Sequence, residues 1–390
     1  MSALYLLQYF AVGALFPLWS LYYRELGLSG TAIGLLVSVV PVAGIVMPPV
    51  WGVLSDRLHV HRFLLLLSSL GAGLAALAVT HAHGLAALFV VATILAVFQS
   101  AWTPIGDSIA LAIAHRGEAS FGGMRLWGSV GFAVATLLAG AAADRWGLAV
   151  IFPLFALAAL AALPLVPGLP AAVARPGPAE EGEWRGLLAQ PAFLWLLLAT
   201  FAVTGGIASN NYYFAMLYQG SGGSLGGVGL AFLLFAGSEV PTMLGAQRLT
   251  DALGAGAVLF WASVLAGLRW FLYSLPLRPW QLLATFPLQG LSGGLFIAVA
   301  PMLIARLTPR NLTATALALY GVAGFGFGAI FTATIGGRLL DGRGVTAIYL
   351  FLALLGLVGI AAMAVVWRLE GRRGDRERGA QRRRTEPSAQ

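Results

Sequence analysis

The stretch PGLPAAVARPGPAEEGEWRG (167–186) decides how this chain is organised, because it is the only long hydrophilic segment between two strongly apolar halves. Its Pro, Gly and Glu content is typical of a flexible linker. On either side the sequence consists of apolar runs, broken by charges and by Gly or Pro clusters. We therefore predict an N-terminal bundle over 1–166, a cytoplasmic linker over 167–190 and a C-terminal bundle over 191–368.

The composition excludes an ordinary soluble protein. Of the 390 residues, 59% are hydrophobic and only 10% are charged, whereas a soluble domain carries about 25% charged residues. A helix needs about 20 apolar residues to cross a bilayer. The pattern predicts an all-α integral membrane protein with twelve transmembrane helices, six in each half, over 3–23, 31–54, 63–80, 85–114, 123–143, 148–166, 191–218, 226–247, 254–275, 279–305, 311–336 and 345–368.

Two residue types are missing from the chain. It has no Cys, and all 23 of its basic residues are Arg, so it has no Lys either. Without Cys there is no disulfide and no thiolate metal site, and without Lys there is no P-loop lysine and no Schiff base. We therefore expect no cofactor, no metal and no enzymatic activity.

The distribution of Arg predicts the orientation. Sixteen of the 23 Arg residues fall on the side of the membrane that carries both termini, and five fall on the other side. An excess of Arg marks the cytoplasmic side, so we expect both termini in the cytoplasm and the protein in the cell membrane. The basic tail over 369–390 either binds anionic lipid or nucleic acid, or is a disordered anchor of topology; the absence of aromatic and amphipathic residues favours the anchor.

The two halves contain a repeat. GAAADRWG (140–147) and GRLLDGRG (337–344) are 197 residues apart, each at the end of the fifth predicted helix of its half. A duplicated six-helix half is the architecture of a carrier that rocks around a substrate site near the middle of the membrane.

Several motifs resemble the major facilitator superfamily of transporters. GVLSDRL (52–58) is similar to its signature loop, although Leu58, His59, Val60 and His61 replace the usual Gly and basic run. Four segments resemble one branch of this superfamily more specifically: YFAVGALFPLWS (9–20), GLSGTAIGLL (27–36), PIGDSIA (104–110) and MRLWGSVGF (124–132). This branch holds the phenylpropionate permease, the nucleoside–proton symporters and lactose permease. The resemblance covers about 5–365 and implies the fold of two six-helix bundles and solute transport.

Four charged residues of the predicted helices cannot easily reach headgroups or water by snorkelling: Asp107, Arg125 at the start of the fifth helix, Glu239 and Arg269. Ionisable groups at this depth are costly and are by default functional candidates. Asp107 and Arg125 are 18 residues apart on consecutive helices, so their side chains can meet across the hairpin. The pair is either structural or substrate-binding, and the resemblance to lactose permease, which has such a pair, favours substrate binding.

Polar residues extend this candidate substrate site. Gln99 and Thr103 lie on the helical face of Asp107, and we expect this face to line a wet cavity. In the second half we predict that Asn210, Phe214 and Gln289 bind substrate, with helix-packing hydrogen bonds as the equal alternative for the polarity around Asn210.

The C-terminal charges are candidates for proton coupling. Glu239 and Arg269 form the counterpart of the first pair, and Gln289 stands 20 residues after Arg269. The resembled families have His at that place, and lactose permease has a proton-carrying Glu where this chain has Ser292, so the same relay is not present. A coupled proton would be carried by Glu239, with Arg269 as its partner, or by Asp107. Asp56 and Arg57 are expected to stabilise a conformational state.

The leading functional prediction is proton-coupled symport, by alternating access, of a sugar, a nucleoside or a phenylpropionate-like acid. The alternatives are a proton-antiporting exporter of amphipathic compounds and, from another class, a membrane receptor or scaffold that transports nothing. The expected partners are a small-molecule substrate, protons and the lipid bilayer, with no nucleic acid, and we expect a monomer.

Overall fold

A computed structural model describes residues 1–58, 60–170 and 184–385. In these ranges the chain forms helices and no strands, and twelve helices are long and apolar enough to cross a membrane. We number them helix 1 to helix 12 in chain order: Ser2–Glu25, Gly30–Ser55, His61–Val79, Leu85–His115, Phe121–Trp146, Leu148–Leu165, Pro191–Gly220, Leu225–Leu253, Ala255–Tyr273, Pro279–Leu307, Thr313–Arg343 and Val345–Gly371.

The predicted all-α membrane fold is confirmed. Each predicted span overlaps one observed helix. The spans are helical because a helix pairs its own backbone N–H and C=O groups and so tolerates a lipid environment. The largest difference is at helix 11, which was predicted to end at 336 and ends at Arg343. The extra turns carry Arg338 and Asp341, whose charges suggested a loop although the helix continues through them.

The two halves repeat the same packing scheme. Helix 1 packs on helices 5 and 6, as helix 7 packs on helices 11 and 12; helix 3 packs on helices 4 and 6, as helix 9 packs on helices 10 and 12. Between the halves, helix 2 packs on helix 11 and helix 5 on helix 8. This correspondence is that of two pseudo-symmetric six-helix bundles. Most of the predicted linker, 171–183, lies outside the described residues, and Trp184–Leu188 is a short helix.

Glycine contacts close one face of the molecule. We call the face at which helix 1 begins and helix 12 ends the terminal face, and the opposite one the distal face. Near the distal face, a Cβ added to Gly34 on helix 2 would lie 2.6 Å from the carbonyl oxygen of Ala333 on helix 11. A Cβ on Gly140 of helix 5 would lie equally close, 2.6 Å, to the carbonyl oxygen of Leu225 on helix 8. Only glycine permits these backbones to approach so closely.

The repeated Asp residues of the two halves reinforce this closure. Asp341 accepts hydrogen bonds from the backbone nitrogens of Gly30 and Thr31, at the start of helix 2. Asp144 accepts hydrogen bonds from the backbone nitrogens of Leu225 and Gly226, at the start of helix 8, at 2.8 and 2.7 Å. Each carboxylate thus caps a helix of the other half, where free N–H groups and the helix dipole favour a negative charge.

Towards the terminal face the packing is more open, although Ile45 of helix 2 still lies against Gly326 of helix 11. Helix 2 lines a cavity with Val40, Gly44 and Pro48. On helix 8, a Cβ added to Gly237 or Gly245 would meet no atom within 4 Å. Among the described residues, every hydrogen bond between the halves joins two residues that both lie in the distal halves of their helices. The described conformation is therefore closed at the distal face.

The backbone departs from regular α-helix at several places within the spans, among them Phe286 of helix 10. Helix 1 is interrupted at Phe16–Leu18, around Pro17, helix 4 is interrupted at Ser100–Ala101, and Val322–Gly328 of helix 11 is a π-helix. Two glycines of this π-helix, Gly324 and Gly328, pack against helix 7, since a Cβ on Gly328 would lie 2.6 Å from the carbonyl oxygen of Phe201. Gly326 instead lies against Ile45 of helix 2. At the C-terminus, the last helix continues to Thr385, so the backbone is helical over most of the tail that the sequence predicted to be disordered.

Candidate functional site

The first candidate cluster lies where helices 1, 4 and 5 meet. Arg125 Nη1 donates a hydrogen bond to Asp107 Oδ1 at 2.7 Å, so the predicted contact across the hairpin forms. The side chains of Arg125 and Asp107 remain 37% and 26% exposed. Neither charge is therefore sealed in the protein, and both groups keep hydrogen-bonding capacity that a solute can use.

Helix 1 adds two tyrosines that the sequence analysis missed. Tyr5 Oη donates to Asp107 Oδ1 at 2.6 Å, and the Arg125 guanidinium lies 5.2 Å from the ring centroid of Tyr9 and 5.7 Å from that of Tyr5. These are cation–π distances. Their spacing of four residues on one helical face was the available signal, but nothing in the sequence indicated that this face meets Arg125.

Two glycines explain why helix 1 reaches Arg125. Gly131 on helix 5 lies against the backbone of Leu6, and a Cβ on Gly128 would lie 3.0 Å from the ring of Tyr9. Both glycines belong to the MRLWGSVGF segment. Close approach of helices 1 and 5 therefore brings two aromatic rings next to the charged pair.

Gln99 and Thr103 line a cavity, as predicted. The cavity has a volume of about 430 Å³ and lies between helices 2 and 4, with Ser100 and Pro104 among its other lining residues. The interruption of helix 4 falls at its wall, where Trp51 Nε1 donates to Ser100 Oγ at 3.0 Å. Asp107 lies one helical turn beyond Thr103, so the cavity and the charged pair are neighbours on helix 4.

The C-terminal cluster is of a different kind, because its charged residue, Arg269, is fully buried. Arg269 Nη1 and Asn210 Nδ2 both donate to Gln289 Oε1. Gln289 Nε2 donates to Asn211 Oδ1 at 2.6 Å, and Tyr349 Oη donates to Asn210 Oδ1 at 3.2 Å. Helices 7, 9, 10 and 12 are joined in this way by one polar network.

Within this network Arg269 is under-satisfied. It is 0% exposed, and its Nε and Nη2 atoms have no hydrogen-bond partner among the described residues. The guanidinium also faces the rings of Tyr273 and Phe286, at 5.6 and 6.0 Å. No carboxylate in the described part of the chain pairs with it, which is an expensive arrangement for a buried charge.

The expected pairing of Glu239 with Arg269 is wrong for this conformation. Arg269 lies four residues before the distal end of helix 9, and Glu239 lies 14 residues after the distal start of helix 8. At 1.5 Å per residue their depths differ by about 15 Å. Glu239 is half-buried against Gly294, and it has no hydrogen-bond or ion-pair partner in the described ranges.

The structure buries three residues that were predicted to bind substrate. Asn210 and Gln289 belong to the polar network, and Phe214 packs its ring 4.2 Å from the ring centroid of Phe286. All three are 0% exposed, so in this conformation they do not face the cavity. The hydrogen-bonding interpretation of Asn210, which the sequence left open, matches its observed contacts.

The predicted gating residues give less information. Arg57 is exposed at the end of helix 2. The side chain of Asp56 lies outside the described part of the chain, so their relation stays a prediction. In the described residues no group of three or more His, Asp or Glu side chains forms a possible metal site.

The fold and this site define a class of protein: a multi-pass membrane transporter with two six-helix bundles. A model of the MFS_1 like family matches residues 1–351, and the chain belongs to that family. It is therefore a transporter of the major facilitator superfamily, as the sequence motifs suggested.

Individual comparisons agree with this assignment. The chain is 40% identical over 374 residues to the maltose permease of Geobacillus stearothermophilus, covering 95% of each chain. It is 26% identical over 274 residues to the probable 3-phenylpropionic acid transporter of Escherichia coli (strain K12), covering 68% of this chain and 71% of the other. The crystal structure of the nucleoside transporter NupG has the same fold, with a TM-score of 0.79 at 16% identity, over 94% of this chain and 98% of NupG.

Proposed function

We propose that the protein is a proton-coupled symporter that imports a neutral sugar of the disaccharide class. The observation that carries this proposal is the Asp107–Arg125 pair, which is partly exposed beside the cavity of Gln99 and Thr103. A sugar offers neighbouring hydroxyl groups that both donate and accept hydrogen bonds. A carboxylate supplies the acceptor and a guanidinium supplies the donors, and such charge-assisted hydrogen bonds are strong.

The similarity to a maltose permease supports the choice of substrate class. The charge of the site is consistent with it, since the Asp107–Arg125 pair is neutral in sum and so does not select an ion. Nucleosides and phenylpropionate-like acids are the other two solutes that the sequence admitted, and they serve as comparison substrates in the test.

Alternating access is supported by the conformation. With the termini in the cytoplasm, as the distribution of Arg suggests, the distal face is the outer face and the described state is closed to the outside. Opening the other way requires breaking the contacts of helix 2 with helix 11 and of helix 5 with helix 8. These two sets of contacts are pseudo-symmetric, so the two bundles can rock about a site between them.

Proton coupling is assigned to Glu239. Asp107 already accepts two hydrogen bonds, whereas Glu239 has no partner among the described residues and lies mid-way along helix 8. A carboxyl group in that position can gain and lose a proton as its access to water changes. At roughly 150 mV, one proton supplies about 3.5 kcal/mol, which corresponds to about 300-fold accumulation.

Uptake into proteoliposomes tests the proposal. Purified protein is reconstituted, and labelled maltose, uridine and 3-phenylpropionate are supplied separately, with and without an imposed inward proton gradient. We expect maltose to accumulate above its external concentration only with the gradient, and Asp107→Asn to abolish this. Accumulation of another solute instead would overturn the sugar assignment. Proton-driven efflux would indicate an exporter, and absence of any flux would indicate a receptor or scaffold.

A further inference from the structure

Two donors converge on one oxygen of Asp107. Tyr5 Oη and Arg125 Nη1 lie 2.6 and 2.7 Å from Oδ1, while no described residue donates to Oδ2. We infer that Tyr5 is a positioning residue of the transport site: it fixes the Asp107 carboxylate so that Oδ2 is presented to a hydroxyl group of the substrate. This inference rests on the proposed function, because it concerns the same substrate site.

Tyr5 acts through Asp107, because its own side chain does not reach the cavity. The residue is 1% exposed, and helix 1 is held against helix 5 by the backbone contact of Leu6 with Gly131. The packing of helix 1 therefore sets the direction in which the Tyr5 hydroxyl group points, and solvent does not compete for it.

The consequence of losing this hydroxyl group follows from the chemistry of the partner. A guanidinium prefers to bind a carboxylate with two parallel hydrogen bonds, which occupy both oxygens. The terminal torsion of Asp is soft, so the carboxylate can rotate into that arrangement. Because Tyr5 occupies part of Oδ1, it opposes this rotation and keeps Oδ2 available. Without the hydroxyl group, Arg125 competes with the substrate for the second oxygen.

Tyr5→Phe isolates the effect, because it removes one oxygen atom and keeps the buried ring. Tyr22→Phe is the matched control: it removes the same group from the same helix, far from Asp107, where the ring packs on Phe152 at 4.7 Å. Maltose binding to the purified full chain and maltose uptake in proteoliposomes are both measured. We expect Tyr5→Phe to raise the Kd and KM for maltose about tenfold, with the maximal rate changed by less than about twofold and no such shift in Tyr22→Phe.

A double variant separates positioning from packing. If Tyr5 acts through the carboxylate, adding Tyr5→Phe to Asp107→Asn changes the Kd by less than about twofold, because the aligned group is already gone. A full tenfold effect in the Asp107→Asn background, or equal behaviour of Tyr5→Phe and Tyr22→Phe, would overturn the inference. Unchanged maltose binding in Asp107→Asn alone is a different result, which rejects the proposed substrate site itself.

A measurement on the unmodified protein covers the case in which Tyr5→Phe does not fold. Singly deoxygenated maltoses are compared as competitors of maltose binding. If Asp107 presents one acceptor oxygen, removal of one particular hydroxyl group of maltose should weaken binding about tenfold or more. Where Tyr5→Phe folds, it should bind that deoxygenated maltose and maltose itself with similar affinity. If no single hydroxyl group matters, the carboxylate does not present an aligned acceptor and the inference is wrong.

Discussion

Asp341 holds Thr31 across the boundary between the two halves of the protein: its Oδ2 atom accepts hydrogen bonds from the Thr31 backbone nitrogen at 2.8 Å and from the Thr31 hydroxyl group at 2.7 Å. Asp144 makes the corresponding contact with Leu225 and Gly226 at the start of helix 8. The two Asp residues are the ones that recur at an offset of 197 residues. The sequence repeat therefore corresponds to a pair of caps that hold the distal face closed.

Removing these caps should open the distal face. Capping interactions of this kind contribute about 1 kcal/mol each, so Asp341→Ala should shift the equilibrium between the two conformations about fivefold, and the double variant with Asp144→Ala about 25-fold. Because the chain has no Cys, Thr334→Cys provides a single label at the interface of helices 2 and 11. We expect its reaction rate with a maleimide in nanodiscs to rise by these factors.

Asp251→Ala is the control for the cap variants, because Asp251 bonds only to Gln247 on its own helix at the terminal face. An equal labelling rate in the cap variants and in this control would show that the caps do not set the conformation.

A larger residue at a glycine contact should have the same effect by steric means. Gly140→Leu inserts a side chain where even a Cβ would lie 2.6 Å from the carbonyl oxygen of Leu225. We expect it to prevent distal closure and to reduce uptake at least tenfold. Gly245→Leu is the control, since a Cβ there meets nothing within 4 Å. Similar uptake by the two variants would contradict the role assigned to the contact of helices 5 and 8.

Glu239→Gln should separate exchange from accumulation. If this carboxyl group carries the coupled proton, the variant loses gradient-driven maltose accumulation but still exchanges labelled for unlabelled maltose. Both are measured in the same proteoliposomes. Glu118→Gln serves as the control, because Glu118 is an exposed partner of Arg116 outside the spans, at 3.9 Å. Full gradient-driven accumulation of maltose by Glu239→Gln would show that Glu239 does not carry the coupled proton and would leave Asp107 as the candidate.

Arg269 allows a prediction about stability. A buried guanidinium without a carboxylate costs several kcal/mol in desolvation, and Gln289 Oε1 keeps its bond from Asn210 when the charge is removed. Arg269→Met should therefore raise the unfolding temperature in detergent by several degrees. A lower unfolding temperature would show that the network depends on the guanidinium.

Much of the fold was predictable, because its signals are local. Spanning helices follow from runs of apolar residues, and the Asp107–Arg125 contact follows from the shortness of one hairpin. The lining of the cavity by Gln99 and Thr103 follows from helical periodicity on helix 4. In these cases the residues that decide the outcome lie within a few turns of each other along the chain.

The sequence by itself determined the class of fold, the number and positions of the helices, and the charged pair of the first half. Only the tertiary structure decided that Arg269 bonds to Gln289 instead of Glu239, that Tyr5 touches Asp107, and that Asp341 caps helix 2. These contacts join residues 20, 102 and 310 positions apart. They depend on which helix faces meet and at what depth, and hydropathy leaves that undetermined because every helix in lipid carries the same apolar signal.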